Sequence, residues 1–305
     1  MEGSQFMSKT AIFAVIAYLL ATASASAQDR SKYYTQQKAG EFSIDWVAFY
    51  DANDADTAKA RKELPHHLDL AFGKDPKQNL DLYLPKEQPD GAPTFLFLHG
   101  GGFREGDRAH YGGIALPFAE HGIITAVASY RLTVDGFGFP TQSEDVAAAV
   151  AWIHENIASF GGDPELIYIG GHSAGAILSG FAGANGVWGE KHGVPLGLIK
   201  GAAPISGPYH LKDVSGLPGF IDEADREMAA PFFNINHPSP RFVIAVGTDE
   251  PYGESSREFT EKLKRSGVDA KLLVLEGMDH AETARSLGDA DSELFAAILE
   301  MIRAR

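Results

Sequence analysis

A serine flanked by small residues stands between a β-prone segment and a helix-forming segment. Residues 171–175 read Gly-His-Ser-Ala-Gly, a G-x-S-x-G pattern centred on Ser173. Residues 165–169 before it are largely apolar and β-prone, and residues 174–184 after it are mostly small and favour a helix. A strand, a sharp turn and a helix are the context in which this pattern presents a nucleophilic serine. Such a serine also needs a base, an acid and donors for an oxyanion.

A run of three glycines follows another apolar segment. Residues 94–98 predict a strand buried on both faces, and residues 99–103 read His-Gly-Gly-Gly-Phe. Glycines leave backbone N–H groups open at the carboxyl end of the strand, the edge at which open α/β sheets bind ligands. One such donor to the negative charge that develops on a carbonyl oxygen contributes about 3 kcal/mol. An isolated glycine triplet indicates a flexible turn, but this triplet and the serine pattern together predict an oxyanion hole.

One of the histidines after Ser173 is well placed to act as the base. His280 comes just after the apolar segment 272–275, so it is expected at the carboxyl edge of the sheet. The remaining histidines on that side of the serine lie in loop-like sequence and are expected at the surface: His192, His210 and His237. His172, next to the serine, is expected to shape the turn.

Two adjacent carboxylates are candidates for the acid that orients the base. Asp249 and Glu250 follow the apolar segment 242–246. Neighbouring residues at a strand end point in different directions, so only one of them can face His280. Periodicity does not choose between them.

The elements around these residues predict one α/β domain. Residues 68–72 and 80–84 alternate apolar and polar side chains, which indicates an antiparallel hairpin with one solvated face. Apolar strand-like segments then alternate with helical segments as far as residue 303. This order is typical of a mostly parallel sheet with helices on both faces. Residues 207–240 interrupt the alternation and predict a small cap insertion, an ordinary long loop being the alternative.

The N-terminus resembles an export signal. Lys9 precedes the apolar stretch 11–21, and Ala-Ser-Ala at 25–27 forms an A-x-A cleavage site. Residues 1–27 are therefore predicted to be a signal peptide, a membrane anchor being the alternative. Residues 28–305 are predicted to be a single catalytic domain whose residues 28–64 form an N-terminal arm.

Composition limits the partners and the chemistry. A net charge of −15 disfavours nucleic acid and anionic membranes as partners. The absence of cysteine excludes disulfides, thiolate metal sites and a cysteine nucleophile.

With these motifs in place, the chain resembles the α/β-hydrolase esterases. It is most similar to the group of hormone-sensitive-lipase-like carboxylesterases, feruloyl and acetyl esterases and kynurenine-formamidase-like enzymes. The resemblance is carried by residues 99–103, 130–132, 160–164, 171–175 and 279–280, spread over nearly all of the predicted domain. It implies the α/β-hydrolase fold, with a mostly parallel eight-stranded sheet, an antiparallel N-terminal hairpin and a small cap.

The resemblance also implies roles for individual residues. Ser173 would be the nucleophile and His280 the base, and the N–H groups of Gly101, Gly102 and Ala174 would form the oxyanion hole. It favours Glu250 as the acid, with Asp249 as the alternative. A glutamate where many relatives have an aspartate is a departure from the family pattern.

These observations predict a secreted or periplasmic serine hydrolase of short-chain, acetyl or feruloyl-type esters. No metal or organic cofactor is expected. The expected partner is a small or polysaccharide-linked ester, with no membrane span in the mature chain. An arylformamidase and a non-catalytic binding protein on the same scaffold are the alternatives. The binding protein is disfavoured because Ser173 and His280 are both present.

Overall fold

The computed structural model describes residues 44–87, 90–212, 217–236 and 239–304. The predicted signal peptide and residues 28–43 of the predicted arm lie outside the described residues. Within the described part of the chain, no helix combines the length and the apolar character that a membrane span requires.

Eight strands form one sheet in the order β1-β2-β4-β3-β5-β6-β7-β8. β1 pairs antiparallel with β2 and β2 antiparallel with β4, and the remaining neighbours are parallel. The mostly parallel sheet and its antiparallel N-terminal hairpin are thereby confirmed. The strands are β1 His66–Ala71, β2 Asn79–Tyr83, β3 Ala92–Leu98, β4 Ile124–Ala128, β5 Gly162–His172, β6 Ile199–Ile205, β7 Arg241–Gly247 and β8 Ala270–Leu275.

Helices cover both faces of the sheet, as the alternating pattern predicts. They are α1 Trp46–Glu63, α2 Ala115–Glu120, α3 Thr141–Asn156, α4 Ala174–Ala184, α5 Gly186–Lys191, α6 Arg226–Ala229, α7 Gly253–Arg265, α8 His280–Ser286 and α9 Glu293–Arg303. One apolar core lies under α3, α4 and α7, and a second lies under α1, α2, α8 and α9. In α9, for example, Leu294, Ile298 and Ile302 recur every four residues and are buried.

The hairpin is more buried than the sequence predicts, because only β1 has a solvated face. β1 alternates between half-buried and exposed residues, but β2 is buried along almost its whole length. Because β2 lies between β1 and β4, Asp81 is shielded from solvent and forms an ion pair with Arg108, with Nε 2.9 Å from Oδ1. A buried carboxylate requires such a partner.

The first described helix belongs to the predicted arm. The sequence predicts a helix over residues 54–64, whereas α1 begins at Trp46, where Asp45 caps it by accepting from the N–H of Ala48. The guanidinium of Arg285 in α8 donates to Asn53 and to Asp56, each at 2.9–3.0 Å. These bonds fix α1 against α8, the helix that begins with His280.

The described parts of the 207–240 insertion consist of short turns and the four-residue helix α6. Tyr209, Leu211 and Phe220 are fully buried, so these turns pack on the domain. Phe220 stacks on Phe103 with ring centroids 3.7 Å apart. The insertion therefore supports the glycine-rich loop that begins at residue 99.

Candidate active site

Ser173 occupies a strained turn between β5 and α4. Its φ of +57° and ψ of −115° are unusual for a residue with a side chain, and such a conformation costs about 1–3 kcal/mol. Its N–H donates to the carbonyl of Ile205 in β6 at 2.9 Å. A Cβ at Gly175 would lie 2.1 Å from the carbonyl oxygen of Leu98, so only glycine allows this close approach. The elbow predicted from the sequence has the geometry that exposes a serine.

The glycine loop after β3 lies directly beside this turn. A Cβ on Gly100 would be 3.1 Å from Cβ of Ser173. Gly101 and Gly102 have positive φ values of 115° and 58°. Among the residues that the structure describes, no backbone carbonyl accepts from the N–H groups of Gly101, Gly102 or Ala174. The three predicted oxyanion donors are therefore free to bind a ligand oxygen.

His99 fixes the start of this loop. Its ring stacks on Tyr130 at 4.3 Å, and its Nδ1–H donates to the carbonyl of Gly100 at 2.7 Å. The hydroxyl of Tyr130 donates to the carbonyl of His99 at 2.8 Å. Complete burial lowers the pKa of His99 to about 4, so this imidazole stays neutral at physiological pH.

His280 forms a buried pair with Glu250. Nδ1 of His280 lies 2.6 Å from Oε2 of Glu250, and their side chains are 4% and 0% exposed. Oε1 of Glu250 accepts from the N–H of Gly247 at 2.7 Å and from the hydroxyl of Ser206 at 2.5 Å. This carboxylate therefore has donors on both oxygens.

Asp249, the alternative acid, is not part of this pair. It is exposed, and its carboxylate accepts only a 3.3 Å hydrogen bond from the neighbouring hydroxyl of Thr248 among the contacts described. The geometry therefore separates the two carboxylates that periodicity left equivalent. Glu250 faces His280.

A second hydroxyl extends the hydrogen-bond network behind Glu250. Oγ1 of Thr283 lies 2.9 Å from Oγ of Ser206 and 3.0 Å from the carbonyl oxygen of His280. Ser206 has one hydroxyl proton, which its short contact with the Glu250 carboxylate takes up. The hydroxyl of Thr283 donates its proton to the carbonyl oxygen of His280.

His172 connects the serine turn to the histidine loop. Its Nε2 lies 2.8 Å from the carbonyl oxygen of His280, and the two rings are 4.4 Å apart between centroids. Because His172 immediately precedes Ser173, this contact brings His280 to the nucleophile turn. Burial, and then the neighbouring His280, hold the pKa of His172 well below its ordinary value.

Several residues near the site were not singled out from the sequence. The rings of Trp46 and Tyr252 lie 6.5 Å and 5.3 Å from the ring of His280. Ser206 and Thr283 were missed because their partners are distant in the chain. A serine followed by glycine at the end of β6 was the one available signal for Ser206.

Glu105 is a further carboxyl group beside the glycine loop. Its N–H donates to the carbonyl of Gly101 at 3.1 Å, and its Cγ would lie 3.0 Å from a Cβ on Gly101. Burial raises the pKa of Glu105 to about 7, opposed weakly by Arg104. Near neutral pH a carboxyl group with this pKa is partly protonated, so it adds less negative charge near the predicted oxyanion donors than an ordinary glutamate.

The other histidines expected at the surface differ from one another. His210 is buried: its ring lies 3.8 Å from that of Phe232 and its Nε2 lies 3.0 Å from Glu258, so the surface prediction is wrong there. His192 is half-buried, and His237 lies outside the described residues. No group of three or more His, Asp or Glu suited to a metal occurs within the described ranges.

Comparison with known proteins gives matches of several kinds. The carboxylesterase family model matches residues 74–181. A probable isoprenylcysteine alpha-carbonyl methylesterase of Oryza sativa is 28% identical over 70% of this chain and 57% of its own length. The kynurenine formamidase of Danio rerio is 24% identical over 84% of this chain and 88% of its own. This chain spans only 50–62% of the length of the plant methylesterases that it matches.

Solved structures share the fold. Esterase B from Lactobacillus rhamnosis superposes with a TM-score of 0.70 at 20% sequence identity, covering 85% of this chain and 92% of that one. The fold is that of the α/β-hydrolases.

Proposed function

Because the chain is an α/β-hydrolase by fold and matches the carboxylesterase family model, we propose that it hydrolyses carboxylic esters with Ser173 as its nucleophile. The observation that carries this proposal is the buried 2.6 Å contact between His280 and Glu250. It leaves Nε2 of His280 as the nitrogen that can accept a proton. Ser173 is the proposed source of that proton. It lies at a strained turn next to His172, whose ring contacts the ring of His280.

In the proposed reaction, the hydroxyl oxygen of Ser173 attacks the ester carbonyl carbon while Nε2 of His280 takes its proton. The carbonyl oxygen becomes an oxyanion that accepts from the N–H groups of Gly101, Gly102 and Ala174. His280 then gives the proton to the alkoxy oxygen as the C–O bond breaks, and the alcohol leaves an acyl-serine. Water repeats the sequence on the acyl group, which releases the carboxylic acid and restores Ser173.

Glu250 holds His280 in the tautomer that this sequence needs. A carboxylate accepts and does not donate, so its contact with Nδ1 places the proton on that nitrogen. The bonds from Gly247 and Ser206 hold the second oxygen of the carboxylate. The negative charge of Glu250 stabilises the imidazolium that forms when Ser173 loses its proton.

The proposed substrates are short-chain, acetyl or aryl esters, including feruloyl-type esters. Trp46 and Tyr252 support an aryl group, since their rings lie near the ring of the base and provide flat apolar surface. Ester hydrolysis is also the activity in the name of the plant methylesterases that resemble the chain.

The experiment that tests the proposal measures hydrolysis of p-nitrophenyl acetate by the wild type and by Ser173→Ala. We expect turnover by the wild type and none above background by the variant. Methyl ferulate and acetylated xylan then rank the acyl and alcohol groups. A wild type that hydrolyses none of these esters would refute the proposal.

An N-formyl amide is the second candidate substrate. The zebrafish kynurenine formamidase resembles the chain over nearly its whole length, and an N-formyl amide is cleaved by the same acyl transfer. A comparison of kcat/KM for N-formylkynurenine and for p-nitrophenyl acetate decides between them. A clear preference for the formamide would replace the ester as the proposed substrate.

We also propose that the protein is exported. The support is the sequence of residues 1–27, with its A-x-A site ending at Ala27. Expression of the full chain in a bacterial host, followed by mass spectrometry of the mature N-terminus, is the test. A chain that begins at Gln28 in the periplasm or medium is expected, and an uncleaved cytoplasmic chain would contradict export.

A further inference from the structure

His172 lies where three catalytic segments meet. It ends β5 directly before Ser173, and its Nε2 lies 2.8 Å from the backbone carbonyl of His280. On its other side, Nδ1 lies 3.1 Å from the position of a Cβ on Gly100, in the predicted oxyanion loop. The residue is 2% exposed. One buried imidazole therefore touches the nucleophile turn, the loop of the base and the oxyanion loop.

The location of the proton on His172 follows from its partner. The carbonyl oxygen of His280 can only accept, so the hydrogen is on Nε2 of His172 and Nδ1 carries a lone pair. The hydroxyl of Thr283 donates to the same carbonyl at 3.0 Å, and a carbonyl oxygen can accept from both groups. Thr283 belongs to the same helix as His280, so His172 is the donor that reaches this carbonyl from another element of the fold.

The side chain and the backbone of His280 are held from opposite sides. Glu250 fixes the imidazole through Nδ1, and His172 fixes the carbonyl of the same residue. Asp279 holds the start of α8 by accepting from the N–H groups of Ala281 and Glu282. Of these anchors, His172 is the one next to Ser173 in the sequence. Its contact therefore links the position of the proposed base directly to that of the proposed nucleophile.

We propose that His172 is a positioning residue, which as an Nε2–H donor holds His280 in register with Ser173. This proposal rests on the proposed function, because it concerns the base of that reaction. Among the described contacts of His280, the titratable groups are Glu250, His172 and Tyr252, and the indole of Trp46 is uncharged. Burial lowers the pKa of His172 and so disfavours its imidazolium form.

The test compares His172→Gln, which keeps an amide N–H donor, with His172→Phe, which fills similar space and has no donor. His154→Phe is the control, because it removes an imidazole contact with the carbonyl of Pro164 at 3.1 Å outside the site. We expect His172→Phe to lower kcat for p-nitrophenyl acetate about 10- to 100-fold with little change in KM. His172→Gln should recover most of kcat, and His154→Phe should retain it.

A readout independent of turnover separates this proposal from the proposed function. The proton between Nδ1 of His280 and Glu250 should give a far-downfield NMR resonance in the wild type, whatever the substrate is. The resonance should shift or broaden in His172→Phe and persist in His172→Gln. Equal losses of kcat in the two folded variants, or an unchanged resonance in His172→Phe, would overturn the positioning role. Failure of the wild type to hydrolyse any ester would instead refute the proposed function, and the resonance would still test the role of His172.

Discussion

The carboxylate of Glu250 is fully buried and lies 2.6 Å from Nδ1 of His280, whereas its neighbour Asp249 faces solvent. The backbone turn after β7 brings Oε1 of Glu250 within 2.7 Å of the N–H of Gly247. Glu250, the proposed acid, is therefore distinguished from Asp249 by the donors that surround it and not by its position along the strand.

Replacing the acid tests this relationship. Glu250→Gln should lower kcat about 1,000- to 10,000-fold, because an amide N–H opposite Nδ1 stabilises the wrong tautomer of His280. Asp249→Asn is the matched control and should keep kcat close to the wild-type value. Steady-state kinetics with p-nitrophenyl acetate makes the comparison. The assignment fails if Asp249→Asn causes the larger loss.

The oxyanion loop is tested at Gly101. A Cβ there would lie 2.3 Å from the carbonyl oxygen of Glu105, and the φ of +115° adds strain. We expect Gly101→Ala to displace the loop and to lower kcat about 100- to 1,000-fold, as loss of an oxyanion donor does. Gly267→Ala is the control, since Gly267 has a φ of +81° and open space around its Cα. If both variants lose activity equally, the loop has no special role.

The pH dependence of stability reports on Glu105. Its pKa is raised from an ordinary 4.5 to about 7 by burial, so between these values the folded state holds a proton that the unfolded state has lost. The contribution of Glu105 to the free energy of unfolding is therefore fully present below about pH 4.5. It is lost as the pH rises through about 7.

Glu105→Gln should remove that decline. Urea denaturation at about pH 5, 6 and 8 should give a smaller loss of stability with rising pH for the variant than for the wild type. Glu155→Gln, a change at an exposed glutamate, is the control and should follow the wild type. Parallel curves for the wild type and Glu105→Gln would show that Glu105 titrates normally.

The aromatic surface next to the base is tested through Trp46. Trp46→Ala should lower kcat/KM for aryl esters up to about tenfold relative to ethyl acetate, because an aromatic contact contributes about 0.5–1.5 kcal/mol. Val47→Ala changes an exposed residue on the same helix and should leave this ratio unchanged. Equal losses for aryl and alkyl esters would remove Trp46 from substrate selection.

The sequence predicted the strands and helices that carry the site, but it predicted fewer of the contacts between them. The helix after Ser173 was expected over residues 174–184, and α4 has those bounds. Continuous apolar runs identified the buried parallel strands, because strands covered on both faces have no alternation. Ser173, Gly101 and His280 all follow such strands, so their common edge could be inferred.

The remaining features depend on contacts between distant parts of the chain. The choice of Glu250 depends on Ser206, which is 44 residues away, and no local pattern encodes that pairing. Asp81 was expected on a solvated face, but its strand lies inside the sheet and Arg108 neutralises it. Trp46 went unnoticed because α1 is only weakly amphipathic, so helical periodicity gave little signal for its start.

Ser173 is the proposed nucleophile, and every step of the proposed reaction depends on it. The most direct measurement is mass spectrometry of the wild-type protein after reaction with an alkyl fluorophosphonate, with the adduct located by peptide sequencing. We expect one phosphonyl group per chain, bound to Ser173, together with complete loss of ester hydrolysis. The assignment would be contradicted if hydrolysis were lost with the adduct on another residue. It would also be contradicted if hydrolysis were undiminished when Ser173 is fully modified.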